Sequence, residues 1–453
     1  MPGTGAVPKL QIVYPESPGW DEARQAWNLA VGQRPEAVVY AEAVADVVAA
    51  VELARARGWR VAAQGTGHGA APMGALEGTL LLKTERMRGV AVDPAAWIAR
   101  VEAGALWQDV VEAAAPHGLA ALAGSSPDVG VVGYTLGGGL GWLGRLHGLA
   151  ANSVVAAELV TADGRAVRVD HVHEPDVFWA LRGGGGSFGV VTALELRLFP
   201  LDEVYAGILW WPIERARDVL QAWRKLTARS LPDELTTVGR LLRLPPLPEI
   251  PAEIRGGSFV VVEAIYAGAP AEAELLLAPL RALRPTRAAL RTTPLTELSR
   301  LHMDPEHPVP AGGDGMLLTD LPAEAVNALV RVAGAQSESS LLSVEIRHLG
   351  GELARRRPDN GVLASVDAGY AVYAVGMAPT PVLAAVTDEH VGVVLEALAP
   401  WAAPGMVANF AETARDPAAI WGEHVYQRLR RVKKAVDPTD LIRANHPVIP
   451  ARG

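Results

Sequence analysis

A tight glycine-rich loop, Gln64-Gly65-Thr66-Gly67-His68-Gly69, follows the short strand pattern of residues 60–63. Two further glycine clusters follow it, at residues 137–144 and 183–189. Glycine lets backbone N–H groups approach an anion closely, and successive amides can form a nest for phosphate. Any single cluster could be an ordinary turn. Together they are explained better as loops that cradle one long ligand containing a pyrophosphate.

The second cluster contains a formal G-x-G-x-x-G pattern at Gly139, Gly141 and Gly144. A nicotinamide-type Rossmann site requires a strand directly before this pattern and a helix that begins within it. Residues 125–135 have a loop-like composition instead, and Gly148 ends any helix soon after it begins. The context therefore argues against a Rossmann site.

The organisation of the chain changes near Pro200. Strand and helix patterns alternate between residues 35 and 200, and long strands separated by amphipathic helices follow. In the first part we predict a hairpin of Val154–Thr161 and Ala166–Val169, closed by Asp163-Gly164, and a stretch at 124–148 that is mostly loop. Between residues 205 and 398 the pattern predicts one antiparallel sheet with helices on one face. The predicted fold class is α+β.

The composition excludes several kinds of site. The 453 residues include no cysteine, which excludes disulfides, thiolate metal sites and a cysteine nucleophile. A net charge of −9 does not supply the basic field that binds nucleic acid. Met1–Trp20 lacks a cationic start followed by an apolar core, and the uncharged stretch Ala368–Thr387 is interrupted by proline. We expect a cytoplasmic protein without metal, membrane or nucleic-acid partners, and the oligomeric state stays open.

Four motifs resemble those of the berberine-bridge-enzyme-like flavoproteins in the vanillyl-alcohol-oxidase superfamily. They are the loop at 64–69, the stretches Val129–Gly139 and Phe178–Thr192, and the tail Asp437–Asn445. The resemblance implies FAD as the cofactor, held by an FAD-binding domain of two α+β subdomains. This domain would span residues 1–204, with the PCMH-type pattern at about 30–202. Residues 205–409 would form a substrate domain whose antiparallel sheet covers the flavin ring, and residues 410–453 would return to the FAD-binding domain.

The resemblance also implies the residues that surround the cofactor. His68 corresponds to the histidine that is covalently joined to the flavin, and Asn445 to an asparagine near the flavin. The implied cofactor-binding residues are Gln64, Gly65, Thr66, Gly67, His68, Gly69, Ser126, Val129, Gly130, Gly133, Tyr134, Thr135, Gly137, Gly138, Gly139, Gly141, Trp142, Gly189, Val190 and Asn445.

Two positions depart from the family pattern near the cofactor. Ser126 occupies the place where many relatives carry a second flavin-linking cysteine, so a flavin with two covalent links is impossible in this chain. Gln64 stands where relatives usually have arginine, and one charge that compensates phosphate is therefore missing. His68 is left as the expected single tether.

The catalytic base is not given by the resemblance. Many sugar-oxidising relatives carry Tyr-x-Asn-Tyr before the tail helix, but the corresponding residues here are Val407-Ala408-Asn409-Phe410. Strand alternation in 344–349 puts Glu345 and Arg347 on the flavin-facing side, opposite an apolar face that packs on helices. Tyr373 is placed similarly on its own strand, as is Glu263.

These positions leave alternatives open for catalysis, and we take Glu345, Arg347 and Tyr373 as the candidates. Glu345 and Arg347 could merely pair with each other. Glu345 could accept the substrate proton if burial raised its pKa towards neutrality, or it could orient the arginine and leave deprotonation to a tyrosine.

The activity that the resemblance implies is oxidation of a small organic molecule, such as an alcohol, a sugar or a polycyclic phenol. A base would remove a proton, hydride would pass to flavin N5, and dioxygen would take the electrons to give hydrogen peroxide. Val129 favours dioxygen as the acceptor, because in plant relatives a valine here leaves room for oxygen that a leucine fills. A dehydrogenase with another acceptor and a flavin-retaining protein that binds or cyclises a ligand without net oxidation are the alternatives.

Overall fold

The computed structural model describes residues 10–452, so the start of the segment Met1–Trp20 lies outside the described residues. The first part of the chain alternates short strands and helices. In chain order its elements are β1 (Gln11–Val13), α1 (Trp20–Ala23), β2 (Ala37–Tyr40), α2 (Val44–Arg57), β3 (Arg60–Gln64), β4 (Thr79–Lys83), β5 (Val90–Asp93), β6 (Ile98–Glu102), α3 (Trp107–Ala114), β7 (Leu119–Ala120), α4 (Val131–Leu136), α5 (Gly144–His147), α6 (Ala150–Ser153), β8 (Val154–Val160), β9 (Ala166–Val169), α7 (Pro175–Gly184), β10 (Val190–Arg197) and β11 (Phe199–Pro200).

These strands form two main sheets. The first contains β1, β2, β4 and β3 in that order, and β2, β4 and β3 run parallel. Helix α2 covers this sheet because Val47, Ala50, Val51 and Ala54, at helical spacing, are all buried. The second sheet is antiparallel, in the order β5-β6-β10-β8-β9, and it contains the predicted hairpin β8–β9.

The middle of the chain forms a large antiparallel sheet. Its elements are β12 (Glu203–Pro212), α8 (Ala216–Thr227), β13 (Leu235–Arg243), β14 (Ser258–Tyr266), α9 (Pro270–Arg281), β15 (Arg287–Ala288), β16 (Arg291–Pro294), α10 (Leu295–Leu298), β17 (Ala311–Leu318), α11 (Ala323–Ala333), β18 (Ser343–His348), β19 (Tyr370–Met377) and α12 (Pro381–Leu398). Within the described residues this is an eight-stranded sheet, with the order β15-β12-β14-β13-β18-β19-β17 and with β16 paired to β12.

One face of the eight-stranded sheet is apolar and packs on helices. Val344 and Ile346 of β18 and Val372 of β19 are buried there in one apolar cluster, to which helix α8 contributes Leu220 and Trp223. Because side chains alternate along a strand, the intervening residues of β18 and β19 project from the opposite face. The predicted α+β fold, with helices on one face of an antiparallel sheet, is confirmed.

The C-terminal elements return to the first sheet. They are α13 (Pro417–Trp421), α14 (Glu423–Val436) and β20 (Ile442–Arg443). Strand β20 lies parallel to β3, with Ile442 opposite Val61, and extends the first sheet at that edge. None of the helices in residues 10–452 combines the length and the apolarity that a membrane span needs.

Two elements differ from the sequence predictions. Helix α4 lies in the stretch predicted to be mostly loop. Val131, Thr135 and Leu136 are buried, so tertiary packing outweighs the weak helix propensity of glycine and β-branched residues. Strand β17 contains glycine at 312, 313 and 315 and was not predicted, because glycine is depleted in strands.

Candidate active site

A cavity of about 380 Å³ lies where three parts of the chain meet. The glycine loops of the first part form one wall, the polar face of the eight-stranded sheet forms another, and residues 408–412 and 442–445 of the C-terminal part complete it. The catalytic candidates Glu345, Arg347 and Tyr373 all line this cavity. The two halves of the predicted site therefore face each other across one space.

Fourteen of the predicted cofactor-binding residues line the cavity. They are Gln64, Gly65, Thr66, Gly67, His68, Gly69, Ser126, Val129, Gly130, Gly133, Tyr134, Gly137, Gly189 and Asn445. Thus the loop at 64–69, the stretch from 126 to 137 and the tail asparagine come together as one surface.

The other six predicted cofactor-binding residues do not line the cavity. They are Thr135, Gly138, Gly139, Gly141, Trp142 and Val190. The side chains of Thr135, Trp142 and Val190 are buried within protein. Gly139 and Gly141 serve close backbone packing, since an added Cβ would lie 2.6 Å from Ala150 Cβ or 2.1 Å from the Ala123 carbonyl oxygen, respectively.

Gly133 shows that the cavity wall is shaped for a ligand. It lies within α4 with a negative φ, so its backbone conformation does not require glycine. An added Cβ would meet no described protein atom within 4 Å, so packing does not require glycine either. Because Gly133 lines the cavity, a side chain there would occupy ligand space, and this wall fits a cofactor that lies directly against the backbone.

His68 is held in place by contacts on three sides. Its imidazole stacks on Trp27 with ring centroids 4.1 Å apart. Thr66 Oγ1 lies 2.8 Å from His68 Nδ1, and Asp128 Oδ1 lies 3.7 Å from His68 Nε2. Burial alone would raise the pKa of Asp128, but its contacts with His68 and Trp27 outweigh burial and lower that pKa overall.

Glu345 and Arg347 pair with each other and also line the cavity. Arg347 Nε donates to Glu345 Oε1 over 2.9 Å, and His302 Nε2 lies 2.8 Å from Glu345 Oε2. His302 Nδ1 lies 2.7 Å from Glu263 Oε2, and Arg240 pairs with the same carboxylate at 3.1 Å. Three cations and two carboxylates therefore alternate in one buried network.

This network keeps Glu345 ionised. Burial would raise the pKa of Glu345, but Arg347 and His302 outweigh it and hold that pKa well below its usual range. The condition under which Glu345 would accept the substrate proton, a pKa raised towards neutrality by burial, is therefore not met. Burial and Arg240 lower the pKa of His302, yet Glu263, Asp304 and Glu345 prevail and raise it to about 9. A carboxylate paired in this way is a weak proton acceptor.

Tyr373 has a second carboxylate as its neighbour. Its Oη lies 3.5 Å from Glu412 Oε1, and Glu412 also lines the cavity. Burial and the charge of Asp314, which pairs with Arg415 at 2.6 Å, raise the pKa of Glu412 to about 8. Burial and Glu412 raise the pKa of Tyr373 well above its ordinary value.

His302 and Glu412 line the cavity but were not predicted from the sequence. His302 lies in a connection after α10 and belongs to no recognisable motif. Glu412 lies two residues after Phe410, which occupies the position of a family tyrosine that this chain lacks. An acidic residue so close to that position was a signal from which Glu412 could have been predicted. Ser126, which replaces the linking cysteine of relatives, donates instead to Asp304 Oδ2 over 2.5 Å.

Comparison with known proteins matches residues 35–170 to a family model described as an FAD binding domain. (R)-6-hydroxynicotine oxidase of Paenarthrobacter nicotinovorans is 30% identical over 97% of this chain and 96% of its own length. The structure of 6-hydroxy-D-nicotine oxidase from Arthrobacter nicotinovorans matches with a TM-score of 0.82 and 25% identity, over 98% of this chain and 100% of that one. BBE-like 1 of Physcomitrella patens has the same fold, with a TM-score of 0.85 at 19% identity over 98% of each chain.

Proposed function

Because this chain belongs to the berberine-bridge-enzyme-like FAD-linked oxidases with a PCMH-type FAD-binding domain, we propose that it oxidises a small organic substrate and passes the electrons to dioxygen. One observation carries the proposal. The glycine loops of the FAD-binding domain and the polar face of the eight-stranded sheet line the same cavity. Bound FAD supplies the acceptor for a hydride from the substrate and returns the electrons to dioxygen as hydrogen peroxide.

The proton of the substrate is accepted at the Tyr373–Glu412 pair. Glu412 lines the cavity, lies 3.5 Å from Tyr373 Oη, and has a pKa near 8 because of burial and Asp314. A general base works best when its pKa lies near the operating pH. Glu345 does not meet this condition, since Arg347 and His302 keep its pKa low.

Arg347 orients the substrate rather than moving a proton. Its guanidinium is fixed by Glu345 and lies 5.2 Å from the ring centre of Phe410 and 5.7 Å from that of Trp142. Trp142 does not line the cavity, so its ring supports the guanidinium from the protein interior. A cation held between aromatic faces and a carboxylate presents its free N–H donors in a fixed direction.

The test of this function is an anaerobic mixing experiment. Candidate amines, alcohols, sugars and phenols are mixed with the holoprotein, and bleaching of the flavin absorbance identifies substrates. Air is then admitted, and hydrogen peroxide is measured. Reduction followed by slow reoxidation in air would indicate a dehydrogenase, and binding without bleaching would indicate a non-redox protein.

A cytoplasmic location is part of the proposal and is tested by cell fractionation.

We propose further that FAD is attached covalently through His68, whose imidazole lines the cavity between Trp27 and Thr66. The His68→Ala variant is expected to bind FAD without a covalent link and to turn over more slowly, because losing the link lowers the flavin potential. Acid precipitation followed by intact-mass measurement checks this. Release of all flavin from the wild type by acid would contradict the attachment.

Val129, which lines the cavity, is expected to control access of dioxygen. The Val129→Leu variant should reoxidise in air roughly tenfold more slowly or worse, because the added methylene fills space that dioxygen needs; tenfold corresponds to about 1.4 kcal/mol in the barrier. Stopped-flow reoxidation of the reduced protein measures the effect. Val375→Leu adds the same methylene at another cavity wall and is the matched control. Equal reoxidation rates for Val129→Leu and wild type would show that Val129 does not control the access of dioxygen.

A further inference from the structure

Asp128 joins two groups that lie far apart in the sequence. Trp27 Nε1 donates to Asp128 Oδ2 over 2.6 Å, and Asp128 Oδ1 faces His68 Nε2 at 3.7 Å. Both Asp128 Oδ1 and His68 Nε2 are buried, and neither has a hydrogen-bond partner among residues 10–452. A small movement of the imidazole brings these two atoms into hydrogen-bond contact with each other.

Trp27 also fixes the position of the loop that carries His68. Its backbone N–H donates to the Thr66 carbonyl oxygen over 2.9 Å, and its indole stacks on the imidazole at an interplanar angle of 21°. The same residue therefore holds the loop, the imidazole face and the carboxylate. Stacking on Trp27 limits how far the imidazole ring of His68 can tilt, and Asp128 Oδ1 lies on the Nε2 side of that ring.

The contacts also select a tautomer of His68. An ionised carboxylate can only accept hydrogen bonds, so the imidazole nitrogen that faces Asp128 is the one that carries the proton. The Thr66 hydroxyl, 2.8 Å from Nδ1, then donates to the lone pair on that nitrogen. The hydrogen bond that one ring nitrogen makes fixes the state of the other, so Nδ1 keeps the lone pair and becomes the nucleophile once the Thr66 hydroxyl turns away from it.

We propose that Asp128, held by Trp27, is a positioning residue that orients and activates His68 for covalent attachment to the flavin; this inference rests on the attachment proposed above. In that step the bond from Nδ1 to the C8 methyl carbon of the ring forms and one C–H bond of that methyl group breaks. The methyl proton and the Nε2 proton pass to the ring as it takes up two electrons. Dioxygen, the oxidant of the proposed reaction, then removes two electrons and two protons as hydrogen peroxide.

The experiment compares covalent attachment with flavin binding in the purified holoproteins. Asp128→Asn keeps the size of the side chain but removes its charge. It is expected to bind FAD at full stoichiometry by absorbance, yet to gain the mass of covalent flavin at least tenfold more slowly during incubation in air. Asp128→Glu restores the carboxylate and is expected to recover much of the rate. Trp27→Phe keeps a stacked ring but loses the N–H donor, and it should slow attachment with an unchanged unfolding temperature.

The possible outcomes separate this inference from the proposed attachment. A wild type without covalent flavin would overturn both. A covalent wild type together with Asp128→Asn and Trp27→Phe variants that attach flavin at the wild-type rate would overturn the role of Asp128 alone. An Asp128→Asn variant that folds but binds no FAD would also overturn it, because a positioning role leaves binding intact.

Discussion

Replacing Glu412 by glutamine is expected to slow flavin reduction by roughly 10²–10⁴-fold, because the carboxamide keeps the shape of the side chain but cannot accept a proton. Glu412 lines the cavity beside Tyr373, and burial together with Asp314 raises its pKa to about 8. Reduction by the wild type should therefore accelerate with pH and level off above about 8. Anaerobic stopped-flow measurements from pH 6 to 10 would record both effects.

The matched control is Glu345→Gln, which removes another carboxylate that lines the cavity. Its pKa is held low by Arg347 and His302, so Glu345 stays ionised throughout this pH range. The variant is expected to change substrate affinity and stability while the acceleration with pH remains. A wild-type pH profile without a rise near 8, or a Glu412→Gln variant that is reduced as fast as wild type, would exclude Glu412 as the base.

The same titration has a consequence that needs no substrate. Folded Glu412 keeps its proton up to about pH 8, whereas the unfolded chain releases it near the ordinary value of 4.5. The unfolded state is therefore favoured increasingly between these two values. The free energy of unfolding of the wild type should fall relative to that of Glu412→Gln as pH rises from 4.5 to about 8, and the difference should stay constant above that.

Strand alternation explains why part of the site could be predicted from sequence. Val344 and Ile346 must be buried against helices, so the register of β18 is fixed and Glu345 and Arg347 necessarily project from the other face. The alternation does not say what lies opposite those side chains. His302 comes from a connection more than forty residues earlier and ion-pairs with Glu345, which reverses the pKa shift expected from burial alone.

The position of Glu412 depends on strand β17, which was not predicted from the sequence. The glycine-rich sequence of this strand does not have the composition of a strand, yet its glycines let the chain at 408–412 approach closely. A Cβ at Gly315 would lie 3.0 Å from the Phe410 carbonyl oxygen, and one at Gly313 would lie 2.8 Å from Tyr373 Oη. The close approach that places Glu412 beside Tyr373 is thus a tertiary property.

The glycine loops could be predicted more fully because their function depends on short segments. Residues 64–69 and 129–137 carry backbone groups and small side chains to the cavity within a few residues of each other. Six other predicted residues belong to the same motifs but do not line the cavity, such as Gly141, whose added Cβ would meet the Ala123 carbonyl oxygen. A motif identifies the loop, and packing decides which of its residues reach the cavity.

Lys433 joins helix α14 to strand β20 and to the loop that precedes β10. Its side chain is fully buried, and Nζ donates to the Ser187 and Ile442 carbonyl oxygens and to Asp437 Oδ2, at 2.8, 2.8 and 2.6 Å. An ammonium group has three N–H donors, and all are used here. Asp437 in turn accepts from the backbone N–H groups of Leu441 and Ile442. The ammonium and the carboxylate together set the path of the chain into β20.

Lys433→Met is therefore expected to lower the free energy of unfolding by about 3–5 kcal/mol, because it leaves a buried carboxylate without its cation. Chemical denaturation of the holoprotein measures the loss, and flavin should be retained less well because Asn445 follows β20 into the cavity. Lys434→Met, at the exposed neighbouring position, is the matched control and should change stability by no more than about 0.5 kcal/mol. Removing both charges in Lys433→Met/Asp437→Asn should cost less than the sum of the single changes, since neither charge is then left alone. Equal denaturation midpoints for Lys433→Met and wild type would show that this pair does not hold the C-terminal segment.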